Sequence, residues 1–346
     1  MRPVSSPSAI TDRRVQRHRV YASGRTRRSA YGQTRRLPTT RHGVGVTLAI
    51  TTHDLGKSCG DRAVVDNLDL HVPEGCVYGF LGPNGSGKST TMKMLLSLVR
   101  PTRGEIELMG RPLQRSTRRT LLADTGSLIE APPGYGHLTG GENMRLVQRL
   151  LGLSDKQVNR AVHTVRLQDQ LDKKVRNYSL GMKQRLGIAM ALAREPRLLI
   201  LDEPTNGLDP AGIEEIRGLL TQLASRGTTV MVSSHLLGEI DKTATMLGIL
   251  SNGKLLFQGT RDQLLARSTP DVLIDSSNPR HAASLATQRH PTRLDGPTVR
   301  LSGLTQADTA AAVAMLVHEG IGVHGVRHDT QSLEDVFMDL TGGGGL

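Results

Sequence analysis

Residues Gly82 to Thr90 read Gly-Pro-Asn-Gly-Ser-Gly-Lys-Ser-Thr. Cys76–Leu81 before them is a short apolar run suited to a buried strand, and Thr91–Val99 after them has the apolar content of a helix. A strand, a Gly-x4-Gly-Lys-Ser turn and a helix in that order constrain the fold more than any other feature of the chain. The glycines let the backbone turn tightly, so that successive N–H groups point at one spot, and the positive end of the helix dipole faces it too. Phosphate oxygens are what such a loop holds. The candidate nucleotide-binding residues are therefore Gly82, Pro83, Asn84, Gly85, Ser86, Gly87, Lys88, Ser89 and Thr90. Lys88 is placed to reach the β- and γ-phosphates, and the Ser89 hydroxyl to ligate Mg²⁺.

The rest of the sequence limits what kind of nucleotide-binding protein this is. At 346 residues there is room for two or three domains. No stretch approaches the roughly 18 consecutive apolar residues of a membrane-spanning helix, and the N-terminus has no secretory h-region. Two cysteines, Cys59 and Cys76, make no disulfide framework and point to a reducing compartment. The net charge of +12 suggests nucleic acid until it is located. Residues 1–45 hold eleven arginines and one acid, Asp12, which is +10 and leaves +2 for the other 301 residues. With aromatics at 2% there is little material for stacking bases. The arm reads as disordered: a solvated tail, a contact to anionic lipid or nucleic acid, or an upstream extension from a misassigned start.

Folded sequence begins near Val46. VTLAITTHDLGK and AVVDNLDLHV alternate as half-buried strands do, and GEIELMG is another short strand. Residues about 130–182 form a helical insertion, with a loop containing Pro132 and Pro133 and a capping-box spacing at Ser154 and Gln157. RLLILD and TTVMVSS are near-continuous apolar runs, typical of strands buried on both faces. Asp209 can cap a helix with Pro210 at its first position. LGILSNGKLLFQG reads as a hairpin closed by Asn252-Gly253. The expected domains are an arm (1–45), a nucleotide-binding body (46–267) and a small α+β domain (268–346) with short strands at DVLID and TVRLS, a helix over Gln306–His318 and a terminal glycine run.

Two acids end the strand in LLILDE. Asp202 is placed to hold Mg²⁺ with Ser89, and Glu203 to orient and polarise a water that attacks the γ-phosphate. Upstream lies YSLGMKQRLGIAMALAREP. Together with the phosphate loop and LLILDEPTNGLDP, this segment resembles the signature region of ATP-binding-cassette (ABC) ATPases. The resemblance implies a P-loop NTPase core (α/β, with a RecA-like mixed sheet), an antiparallel β subdomain, a helical insertion and the small C-terminal α+β domain. Ser179 and Gly181 match the signature Ser and second Gly; Leu180 and Met182 depart from the pattern. In the family those residues contact the γ-phosphate held by the other subunit. Asn206–Asp209 look like the D-loop, and His235 like the switch histidine. Glu130 stands where most relatives carry a Q-loop Gln, and is an expected oxygen donor to Mg²⁺. Cys59 stands where many relatives stack an aromatic on adenine. Modest ATP-over-GTP discrimination is the expectation, with Val65 supplying some apolar contact.

The resemblance further implies ATP and Mg²⁺ as cofactors and a homodimer of ATPase subunits. It also implies a separate transmembrane permease, through which the chain sits on the cytoplasmic face of the cell membrane. LIEAPPGYGHLTGGENM and SLEDVFMDLTGG are similar to bacitracin-resistance, lantibiotic-immunity and drug-export ATPases. Export of an antimicrobial peptide or hydrophobic drug is the resulting expectation. One alternative is a soluble ABC ATPase acting on ribosome or DNA, which only the basic arm favours; another is a regulatory nucleotide-binding module with little turnover, against which Glu203 argues.

Overall fold

The computed structural model describes residues 47–130, 134–266, 271–329 and 333–341. The arginine-rich arm, Pro132, Pro133 and the terminal glycine run lie outside the described residues.

A six-stranded sheet organises the body. Its spatial order is Lys254–Gly259, Met246–Ser251, Val77–Leu81, Thr229–Ser234, Leu198–Leu201 and Thr125–Leu128. All neighbours are parallel except the first pair, the expected hairpin. Asn252 and Gly253 both take positive φ there (48° and 78°), as a two-residue turn between twisted strands requires. The apolar runs become central strands because residues alternate between two buried faces. Val77, Leu81, Leu199, Leu201, Val230 and Val232 face one core, which the helical insertion and the helices Leu180–Leu192 and Pro210–Ser225 cover. Tyr78, Phe80, Leu198, Ile200 and Met231 face the other. That second core is closed by the helix Lys88–Leu95 and an antiparallel sheet built on Leu48–Cys59, Arg62–Leu68, His71–Pro73 and Arg103–Leu108.

Local signals decide the helix boundaries. Ser154 and Gln157 form the reciprocal capping box at the start of Asp155–Thr164. Asp209 accepts the Gly212 N–H at 2.8 Å, with Pro210 in the first turn.

Residues 271–329 run strand–helix–strand–strand–helix–strand and form a four-stranded antiparallel sheet with a core of its own, including Val272, Ile274, Val299, Ala312 and Leu316. The helix Gln306–His318 lies where the sequence puts it. The strand Val323–Asp329 escapes sequence reading because Val323 and Val326 are its only apolar side chains and fall on opposite faces, while Arg327 and Asp329 are charged. Arg327 pairs with Asp275 at 2.9 Å, and Asp329 with Arg300 at 2.8 Å.

The last described helix, Leu333–Thr341, does not join that small core. It buries Leu333, Val336 and Phe337 in the core of the body, against the helices Leu237–Ile240 and Arg261–Leu265. Phe337→Ala is expected to lower stability by about 3 kcal/mol, because a ring lost from a packed site leaves a cavity. A fall in the urea midpoint measures this; an unchanged midpoint would mean the helix is not docked in solution.

Candidate functional site

Three adjacent parallel strands end at the same edge, and each delivers a functional segment. Leu81 leads into Gly82, Leu201 into Asp202 and Ser234 into His235. The register pairs Leu81 with Ser234 and Leu201 with Val232. The carboxyl ends of parallel strands are where open α/β sheets place their ligands.

The loop itself needs its glycines. A Cβ on Gly82 would lie 2.2 Å from the Leu250 carbonyl oxygen. Gly87 has φ 105° and packs against the Val64 carbonyl. The Asn252-Gly253 turn supports the loop from behind, Gly253 N–H donating to the Ser86 carbonyl at 2.9 Å. A cleft of about 440 Å³ opens above the loop, lined by Asn84–Thr90, Val64, Glu203, Asn206 and His235.

Lys88 is buried, with 6% exposure, at the start of the helix. Its Nζ donates to the Gly82 carbonyl at 2.6 Å and to the Pro83 carbonyl at 3.3 Å. Burial pulls its pKa below the ordinary lysine range, and the nearby carboxylates of Glu203 and Asp202 oppose that. Glu203 Oε1 lies 3.7 Å from Lys88 Nζ, and Glu203 Oε2 is hydrogen-bonded to His235 Nδ1 at 2.8 Å. Asp202, also 6% exposed, accepts a hydrogen bond from the Ser233 hydroxyl.

The donor set fits an anion and a shared cation. Ser86 Oγ is buried at the cleft without a hydrogen-bond partner among the described residues, a donor suited to a phosphate oxygen. No group of three His, Cys, Asp or Glu among the described residues could hold a metal by itself. One carboxylate and one hydroxyl, Asp202 and Ser89, match Mg²⁺, which keeps waters and phosphate oxygens in its shell.

The other expected residues lie elsewhere. Glu130 is mostly exposed and does not line the cleft; its carboxylate pairs with Lys93, one turn beyond Ser89 on the same helix. That ammonium holds Glu130 below the usual carboxylate range. Ser179 caps the helix Leu180–Leu192, accepting the Met182 N–H at 3.2 Å, and neither Ser179 nor Gly181 lines the cleft. Cys59 is exposed at a strand end and also outside it. The neighbouring apolar wall is Val64, whereas Val65 is buried in the core. Sequence reading missed Ser233. The available signal was a hydroxyl at the end of a buried strand, one strand away from two acids.

Similarity to known proteins accords with this geometry. The ABC transporter family model matches residues 65–206. The chain is 41% identical over 303 residues to the bacitracin transport ATP-binding protein BcrA of Enterococcus faecalis, covering 86% of this chain and 97% of that protein. It is 44% identical over 209 residues to the lantibiotic transport ATP-binding protein SrtF of Streptococcus pyogenes, covering 60% of this chain and 90% of that protein. A solved ATP-binding subunit of an ABC transporter superposes with TM-score 0.58 at 31% identity, over 64% of this chain and 93% of that one. Similarity of this degree along nearly the whole of a relative leaves one assignment: the chain belongs to the ABC transporter family, as an ATP-binding protein with ATPase activity.

Proposed function

We propose that two copies of this chain close head to tail around two ATP molecules and drive export of an antimicrobial peptide or hydrophobic drug through a separate membrane subunit. The observation that carries the hydrolytic part is Glu203, held between Lys88 and His235 at the wall of the loop's cleft. In this reading the loop N–H groups and Lys88 bind the phosphates, and Glu203 accepts the proton of the attacking water. His235 holds the Glu203 carboxylate in place. Asp202 and Ser89 hold Mg²⁺, which when bound neutralises charge on the phosphates. Glu130 joins them only by leaving Lys93.

Ser179 and Gly181 lie outside their own chain's cleft, which supports a second copy as the source of the signature contacts. ATP bound between two copies favours the closed pair, and hydrolysis removes that preference. No helix among the described residues is long and apolar enough to cross a membrane, and in this reading the transport path lies in the separate membrane subunit. Attachment through that partner would hold the chain at the cytoplasmic face. The transport names of the relatives support the exported class.

Deleting the chain from its host is expected to raise sensitivity to peptide antibiotics, and the intact chain purified from the host is expected to bring a membrane protein with it. Unchanged sensitivity to peptides and hydrophobic drugs alike would overturn the export reading.

A further inference from the structure

Ser233 lies in the fully buried strand Thr229–Ser234, one position past Val232, which pairs with Leu201. That register sets it beside the two acids that follow Leu201. Its Oγ donates to Asp202 Oδ1 at 2.6 Å and accepts the Glu203 backbone N–H at 2.9 Å. The directions are forced. A backbone N–H only donates, so the single hydroxyl proton goes to the carboxylate. One oxygen therefore touches both acids, Asp202 through its side chain and Glu203 through its backbone.

Glu203 needs such an anchor. Its φ of 49° lies in the left-handed region, which a residue with a Cβ occupies only when its surroundings hold it. With its N–H fixed, the Glu203 side chain reaches His235 at 2.8 Å and approaches Lys88 at 3.7 Å. Ser233 and His235 come from the same strand end, so the element that anchors the Glu203 backbone also contacts its carboxylate.

We propose that Ser233 is a positioning residue for both acids: its hydroxyl sets the left-handed turn at Glu203 and the orientation of the Asp202 carboxylate. This rests on the assignment of Glu203 to the water and Asp202 to the metal. Ser233 itself touches no substrate in this scheme, so it acts on turnover and on the Mg²⁺ requirement. It does not act on the grip of the loop on phosphate.

The test uses the full-length chain with Ser233→Ala, Ser233→Thr, Ser233→Val and Glu203→Gln. Ser233→Ala is expected to lower kcat by about 10–100-fold, as loss of a group that orients a metal-site ligand does. The Mg²⁺ concentration for half-maximal activity should rise. Affinity for a fluorescent ATP analogue measured without Mg²⁺ should stay within about twofold. Thr and Val have the same shape and differ in the hydroxyl, so Ser233→Thr should turn over faster than Ser233→Val at equal melting temperature. This pair also carries the test where Ser233→Ala does not fold. Equal activity of the Thr and Val variants overturns the proposal, as does a Ser233→Ala enzyme with kcat and Mg²⁺ requirement within about twofold of wild type. If Glu203→Gln stops hydrolysis while Ser233→Ala stays within about twofold of wild type, Ser233 alone is misassigned. If Glu203→Gln itself hydrolyses normally, the reading of the site falls and the Ser233 proposal with it.

Discussion

Glu203→Gln is expected to reduce the rate of phosphate release by about 10²–10⁴-fold, the contribution usual for a positioned general base. The amide keeps the length and shape of the side chain but has no basic oxygen to take a proton from water. Glu203 is also the acid nearest Lys88, at 3.7 Å, so its neutralisation removes negative charge from beside the phosphate loop. Nucleotide affinity should therefore be retained or increased. Two consequences are measurable together. Steady-state hydrolysis should nearly cease, and size-exclusion chromatography with ATP and Mg²⁺ should show the variant as a dimer. Hydrolysis near the wild-type rate would remove Glu203 from the mechanism. A variant inactive but monomeric with ATP would keep Glu203 and remove the composite site.

Lys88→Ala should instead lose the nucleotide. Each charge-assisted hydrogen bond from the ammonium to a phosphate oxygen contributes about 1.5–3 kcal/mol, so affinity should fall at least tenfold and turnover with it. Part of the effect has a different origin. Lys88 Nζ also donates to the Gly82 and Pro83 carbonyls, which shapes the loop in the absence of nucleotide. Lys88→Arg separates the two contributions. The guanidinium keeps the charge but is a planar fork, and it does not fit a site where the lysine is 94% enclosed. Calorimetric titration with ATP should find both variants weak. Strong binding by Lys88→Arg would show that charge alone is enough.

What was legible in the sequence depends on how far apart the interacting residues are. The phosphate loop, the Ser154–Gln157 capping box, the Asp209-Pro210 helix start and the Asn252-Gly253 turn each involve residues within a few positions of one another. Composition and spacing carry such features fully. The strand Val323–Asp329 was not legible, since it has no alternating apolar face and its partners lie about 50 residues away. The pairing of Glu130 with Lys93 spans 37 residues, and the placement of Phe337 in the body core needs the whole fold.

The loop at Gly82–Thr90 was determined by the sequence alone, because glycine at fixed spacing is a local steric condition that few other ligands than phosphate satisfy. Tertiary structure decided what surrounds it. The antiparallel strand Arg62–Leu68 offers Val64 in place of Cys59 as the apolar wall. Sheet register brings Ser233 onto Asp202 and Glu203 and sets His235 against the same carboxylate. Those contacts join segments 30 or more residues apart, and only the pairing of parallel strands brings their ends to one edge.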